Sequence, residues 1–81
     1  MQRKTLVSGA ASGIGRAIAG RLTADGHRVL AVDLRSDPDG PGEPFAADLS
    51  TRAGNKAAAD EALARFQGLR ERVLEEVLLA P

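Results

Sequence analysis

An α/β class with a short parallel sheet is what this sequence predicts, on three observations: two brief apolar runs, one amphipathic stretch between them, and glycine at both junctions. The first run, residues 4–8, is apolar and β-branched at its centre and leads into Gly9, as a buried parallel strand does. From Ile14 the period changes. Ile14, Ala17, Ile18 and Leu22 recur at three- and four-residue spacing while Arg16, Arg21 and Asp25 fall off that stripe, which is a helical pattern. Gly26 stands where a left-handed cap would end the helix. The second run, residues 29–33, follows directly. Parallel strands need a crossover of this kind, so the three pieces read as a βαβ unit.

Residues 36–44, rich in Asp, Pro and Gly, form a loop. Residues 44–48 give a weaker third strand. Ser50 is placed to cap a helix over residues 51–66, although Gly54 and Asn55 weaken its first turn, and Leu63 and Phe66 supply its inner face. Beyond Gly68, Leu69, Val73 and Val77 recur at helical spacing, flanked by Leu74 and Leu78. A strand over residues 77–79 is the competing reading, but the adjacent Glu75 and Glu76 and the four-residue repeat favour helix. The expected organisation is therefore a nucleotide-binding half over residues 1–68 and a helical C-terminal extension over residues 69–81.

Composition narrows the function. A chain of 81 residues buries only roughly 60% of the surface its unfolded form exposes, so the core is thin. Eleven basic and eleven acidic side chains cancel, which removes the broad field that draws proteins to nucleic acid or anionic lipid. Trp and Tyr are absent, and the only aromatic residues, Phe45 and Phe66, cannot make a stacking platform for single strands. The absence of Cys excludes disulfides, thiolate metal sites and a thiol nucleophile, and fits a reducing cytoplasm. One His makes no metal cluster. The apolar run after Met1 is too short for a secretory core or a membrane span, so a soluble protein is expected.

The turn between the first strand and the first helix reads Gly9-Ala10-Ala11-Ser12-Gly13-Ile14-Gly15. Amides at a helix N-terminus offer donors and the positive end of the helix dipole, and glycine lets a phosphate approach the backbone without meeting a Cβ. In this scheme Gly9 makes the tight exit from the strand and Gly13 leaves room beside the phosphates. Gly15 lets the helix lie close to the sheet, as Gly20 does one turn later, while Ser8 and Ser12 add hydroxyl donors. Asp33, with Leu34 beside it, ends the second strand at the distance where an acidic residue grips an adenosine ribose. Together these features predict a Rossmann-type site for a nicotinamide dinucleotide. The Asp33 carboxylate accepts from ribose hydroxyls and repels a 2′-phosphate, so NAD is expected over NADP, although Arg35 nearby argues the other way. Asp33 also suits a plain strand-end turn.

Ser8-Gly-Ala-Ala-Ser-Gly-Ile-Gly15 followed by Arg-Ala-Ile-Ala resembles the opening of the short-chain dehydrogenase/reductase family, over roughly residues 4–68. The resemblance implies that Asp48 contacts the adenine amino group and that Leu49 lines the adenine pocket; Asp48 reads equally as a plain helix-start residue. The cofactor-binding set expected is Gly9, Ser12, Gly13, Ile14, Gly15, Asp33, Leu34, Asp48 and Leu49. Family members transfer hydride with a Ser, a Tyr and a Lys three residues past the Tyr, and this chain has no Tyr. No catalytic residue is assigned. His27 reads as a solvated loop residue.

The expected architecture is thus a truncated Rossmann-type sheet of three parallel strands in the order 3-2-1, with flanking helices and a helical C-terminal tail. Such a sheet leaves the first strand at an edge, so a dimer or higher oligomer is expected through that edge or the tail. The function expected is an NAD(H)-binding module without catalysis of its own. The alternatives are a self-assembling scaffold with a vestigial dinucleotide motif and a fragment that needs a complementing chain for oxidoreductase activity.

Overall fold

The computed structural model describes residues 3–66 and, by backbone alone, residues 76–78. Its elements run β1 Lys4–Ser8, α1 Gly13–Ala24, β2 Arg28–Asp33, β3 Glu43–Ala46, α2 Arg52–Phe66 and β4 Glu76–Leu78. The strands form one parallel sheet in the order β3-β2-β1-β4. Lys4 pairs with Arg28 and Ser8 with Val32 across β1 and β2, and Leu30 pairs with Glu43 across β2 and β3. The expected order 3-2-1 and the flanking helices are present.

Strand alternation sends side chains to two cores. Leu6, Leu30 and Val32 meet Ala58, Ala62 and Phe66 of α2 on one face. Val7, Val29 and Ala31 meet Ala19, Ile18 and Leu22 of α1 on the other. Both faces are covered, which is why β1 and β2 read as continuous apolar runs rather than alternating ones. Each large apolar side chain buried here is worth roughly 1.5–3 kcal/mol, and Phe66, 1% exposed, is the largest of them.

Ile18, Leu22 and Phe66 pack inward as the stripes predict, but Ile14, Ala17 and Leu63 do not, and small residues take their places. In α1 the buried residues are Gly15 and Ala19, while Ile14 is 60% exposed and Ala17 is also exposed. In α2 the inner face is Ala58, Ala62 and Phe66, and Leu63 points outward. Small residues let a helix lie close against a sheet, and a reading weighted by hydrophobicity passes over them. Gly20 lies 3.9 Å from Pro41 when given a Cβ, so it faces the β2–β3 loop and is not required for helix–sheet approach. The α1 terminus is as expected: Gly26 takes φ 91°, its amide donates to the Thr23 carbonyl and the His27 amide donates to the Leu22 carbonyl, the two bonds of a Schellman cap. His27 is only half-buried, and its Nδ1 is hydrogen-bonded at 3.2 Å to Oγ1 of the buried Thr5. It is tied to the sheet rather than loose in a loop.

Three further elements differ from expectation. The third strand begins one residue earlier than expected and ends at Ala46, and the cap of α2 is Thr51, whose Oγ1 accepts from the Gly54 amide at 2.9 Å, not Ser50. Residues 76–78 are a strand, not helix: β4 pairs with β1 in parallel register, Leu6 with Val77 and Val7 with Leu78. Pairing with a buried strand outweighs the weak helical preference of so short a run. The remainder of the expected tail, including Leu69, Val73 and Leu74, lies outside the described residues. β4 also covers the β1 edge on which self-association was expected.

At the end of the sheet opposite the strand exits, Arg28 makes a two-pronged contact with Glu43, Nε to Oε2 at 2.6 Å and Nη2 to Oε1 at 3.3 Å. Its guanidinium also lies 5.1 Å from the Phe66 ring centroid. Arg65 approaches the same carboxylate at 3.7 Å and bonds Glu61 at 2.6 Å. The hydrogen bond from the Arg28 guanidinium, ahead of an opposing effect of burial and helped by the charges of Arg28 and Arg65, holds the Glu43 carboxyl below its ordinary value. A depressed folded-state pKa contributes stability above the ordinary value of 4.5 that is lost as pH falls through the folded value. Glu43→Gln is therefore expected to cost on the order of 1 kcal/mol at neutral pH, a figure discounted because a third of the side chain is in water. It should also flatten the acid limb, and thermal melts from pH 7 to pH 3 check both.

Candidate functional site

All strands of the sheet are parallel, so their carboxyl ends share one side, and a groove of about 390 Å³ opens there. β1 contributes Ser8 and Gly9, and β2 contributes Val32, Asp33 and Leu34. Beyond β3 the chain adds Ala47, Asp48 and Leu49, and α2 adds Asn55. With β2 and β3 on one side of β1 and β4 on the other, the exit of β1 is a topological switch point, the place where open α/β sheets bind ligands.

The glycine turn joins this groove through Asp33. The Ala11 amide donates to Asp33 Oδ2 at 3.0 Å, the Leu34 amide donates to Oδ1 at 2.7 Å, and the Ala10 amide donates to the Val32 carbonyl at 3.1 Å. Two backbone amides thus orient the carboxylate, and each oxygen keeps a lone pair for a further donor. Asp33 is more than a strand-end turn: it ties the exit of β2 to the loop after β1.

Gly9 and Gly13 take φ of 63° and 57°. Nothing lies within 4 Å of a Cβ built on Gly13, so the space over the turn is open. Gly15 is required for a different reason, since its Cβ would stand 1.9 Å from the Gly9 carbonyl oxygen. Ser12 occupies the N-cap position with extended backbone, yet its hydroxyl caps no amide and the first turn of α1 has no acidic residue. First-turn amides have no acceptor within the helix, so those of Gly13, Ile14 and Gly15 face the dipole's positive end uncompensated by a local carboxylate.

Of the nine expected residues, Gly9, Asp33, Leu34, Asp48 and Leu49 line the groove, whereas Ser12, Gly13, Ile14 and Gly15 lie in the adjoining turn and not in its walls. Leu34 is 66% exposed, an apolar side chain with no place in the core. One oxygen of Asp48, Oδ1, accepts from the Ser50 amide at 3.0 Å and from the Ser50 hydroxyl at 2.6 Å. Those bonds, the hydroxyl's first, hold its carboxyl below the ordinary range, so it is an anion at neutral pH. Asn55 was missed by the sequence reading, which saw it as a poor helix former. Its Nδ2 donates to the carbonyls of Leu49, at 3.1 Å, and Thr51, at 2.8 Å, fixing the backbone that carries Leu49. An Asn one turn into a helix after a strand exit was the available signal.

No group of three His, Cys, Asp or Glu side chains able to hold a metal occurs among the described residues. Among the same residues, no helix is long and apolar enough to cross a membrane.

The fold is a truncated Rossmann-like α/β unit with a groove at the strand exits. The chain is 40% identical over 72 residues to D-threitol dehydrogenase of Mycolicibacterium smegmatis, an alignment taking in 75% of this chain and 28% of that protein. The likeness supports an oxidoreductase-like origin and the resemblance read from the glycine turn. This chain spans under a third of the length of that relative. No protein-family model matches the chain.

Proposed function

We propose that this chain binds a nicotinamide dinucleotide, NAD in preference to NADP, and has no hydride-transfer activity of its own. The observation that carries the reading is the position of Asp33, whose carboxylate lines the groove while accepting the Ala11 amide of the glycine turn. One anchor thereby sets a ribose site beside the amides of the glycine turn and the start of α1. Val32, Leu34, Ala47 and Leu49 would hold the faces of an adenine ring, and Asp48 would accept from its amino group. A groove of about 390 Å³ suits an adenosine moiety, and the phosphates would lie over the turn of Gly9 to Gly15 outside it. When bound, the nicotinamide ring supplies hydride exchange. This chain's contribution is to hold and orient the adenosine end and to exclude a 2′-phosphate by charge.

Calorimetric titration tests the reading. Saturable heat is expected with NADH and a weaker response with NADPH. Gly13→Val, which puts a β-branched residue at φ 57° and fills the open space over the turn, is expected to abolish binding while the far-UV circular dichroism is kept. Absence of heat from NADH in the unaltered chain overturns the proposal. Of the two routes expected for the scaffold alternative, β4 occupies the β1 edge, and the other, the C-terminal tail, lies mostly outside the described residues. Oxidoreductase activity with a complementing chain remains compatible with binding, and is favoured over independent activity by the absence of Tyr from the sequence.

A further inference from the structure

We propose that Asp37 is a second determinant of cofactor choice, acting by holding Arg16 in an ion pair so that this cation is not offered to a ribose phosphate. The inference rests on the dinucleotide reading and deepens it. Arg16 lies in the first turn of α1, three residues beyond Gly13. Its Nη1 contacts Asp37 Oδ2 across the space between α1 and the β2–β3 loop. The loop holds that carboxylate in place: Asp37 Oδ1 accepts the Asp39 amide at 3.0 Å, and the Asp37 carbonyl accepts the Gly40 amide at 3.0 Å. The Arg16 hydrogen bond is the main reason that the Asp37 carboxyl lies below its ordinary range.

A small hollow connects Asp37 to the Asp33 carboxylate, with Arg16 bonded to Asp37 from outside its walls. Ala10, Ala11, Asp33, Asp37, Gly40 and Pro41 are among its walls, so Asp33 and Asp37 share one corner with the glycine turn between them and α1. A 2′-phosphate on a sugar held by Asp33 would meet two carboxylates there and one guanidinium already matched by Asp37. Arg35 is exposed and, like Arg16, lies outside the walls of the groove and the hollow; the cation that Asp37 holds is Arg16. With Asp37 neutral, the charge of Arg16 is left uncompensated beside the phosphate position. Asp37 is a positioning residue in this scheme, because it works through Arg16 and not on the cofactor.

Dissociation constants for NADH and NADPH in the unaltered chain, Asp37→Asn, Arg16→Gln and the double variant test the proposal. Asp37→Asn is expected to reduce the preference for NADH about tenfold, the effect of one unpaired charge at several ångströms near a surface. The double variant is expected to restore the preference, and raised salt is expected to erase the gain. Equal weakening of both cofactors by Asp37→Asn, or a change of preference that persists in the double variant, overturns the inference by making Asp37 a loop support only. Should Asp37→Asn fail to fold by circular dichroism, Arg16→Gln decides alone: a stronger preference for NADH is expected, and an unchanged one overturns the inference. Binding of neither cofactor by the unaltered chain sinks the dinucleotide reading as well, whereas NADH binding with unmoved preferences sinks only the role of Asp37.

Discussion

Gly15→Ala is expected to cost about 2–3 kcal/mol of stability, as overpacking against backbone does, and to take NADH binding with it. Helix propensity alone predicts the opposite sign, a gain of about 1 kcal/mol for alanine over glycine. Geometry decides between them. The added Cβ would stand 1.9 Å from the Gly9 carbonyl oxygen, 2.5 Å from its carbon and 3.0 Å from the Ser8 carbonyl oxygen. None of these is the end of a flexible side chain, and the loop is pinned by the Ala10 amide on the Val32 carbonyl. Either α1 lifts from the sheet, opening the contacts of Ala19 and Ile18, or the glycine turn deforms. A domain of this size has about 4–12 kcal/mol in hand, so the variant should fold with a lowered urea midpoint. A midpoint equal to or above that of the unaltered chain would show that α1 does not rest on Gly9.

The second large effect is expected at Gly54. Gly54→Ala should destabilise by about 2 kcal/mol, although the site is in the first turn of a largely solvated helix where alanine ordinarily helps. A Cβ there would lie 1.8 Å from the Asp48 carbonyl oxygen and 2.5 Å from its carbon. The same carbonyl accepts the Thr51 hydroxyl at 2.9 Å, so moving it also disturbs the helix cap. Asp48 and Leu49 form one wall of the groove, and the substitution should therefore weaken NADH binding along with the fold. Chemical denaturation and titration on one preparation give both numbers, and a stabilised variant would refute the contact.

Gly54 also shows where the sequence was legible and where it was not. The elements β1, α1 and β2 were readable because their signals are local: a period change at Ile14, a glycine cap at Gly26, and Asp33 at a known distance from the glycine turn. Of the nine proposed cofactor residues, Asp48 and Leu49 rest on the family resemblance and not on that local signal, and five of the nine line one groove. What escaped depends on contacts between distant segments. Gly54 reads as a flaw in a helix until the Asp48 carbonyl is known to touch it. Ala58 and Ala62 carry little hydrophobic signal, yet they are the inner face of α2, while the more apolar Leu63 lies outside. Val77 and Leu78 sit beside paired glutamates and read as helix because nothing nearby reveals that β1 needs a neighbour. Asp37 likewise looks like loop composition until Arg16 is seen to reach it.

The pairing of Thr5 with Glu76 and Val7 with Leu78 has a consequence for biosynthesis. β1 is made well before β4, so until β4 follows it the nascent chain carries an apolar ribbon with one open flank. Closure then demands a contact between segments far apart along the chain, the slow class of folding event and the one most exposed to misassociation. Chaperone engagement of the nascent chain, ending as β4 clears the exit tunnel, is the cellular signature this topology implies.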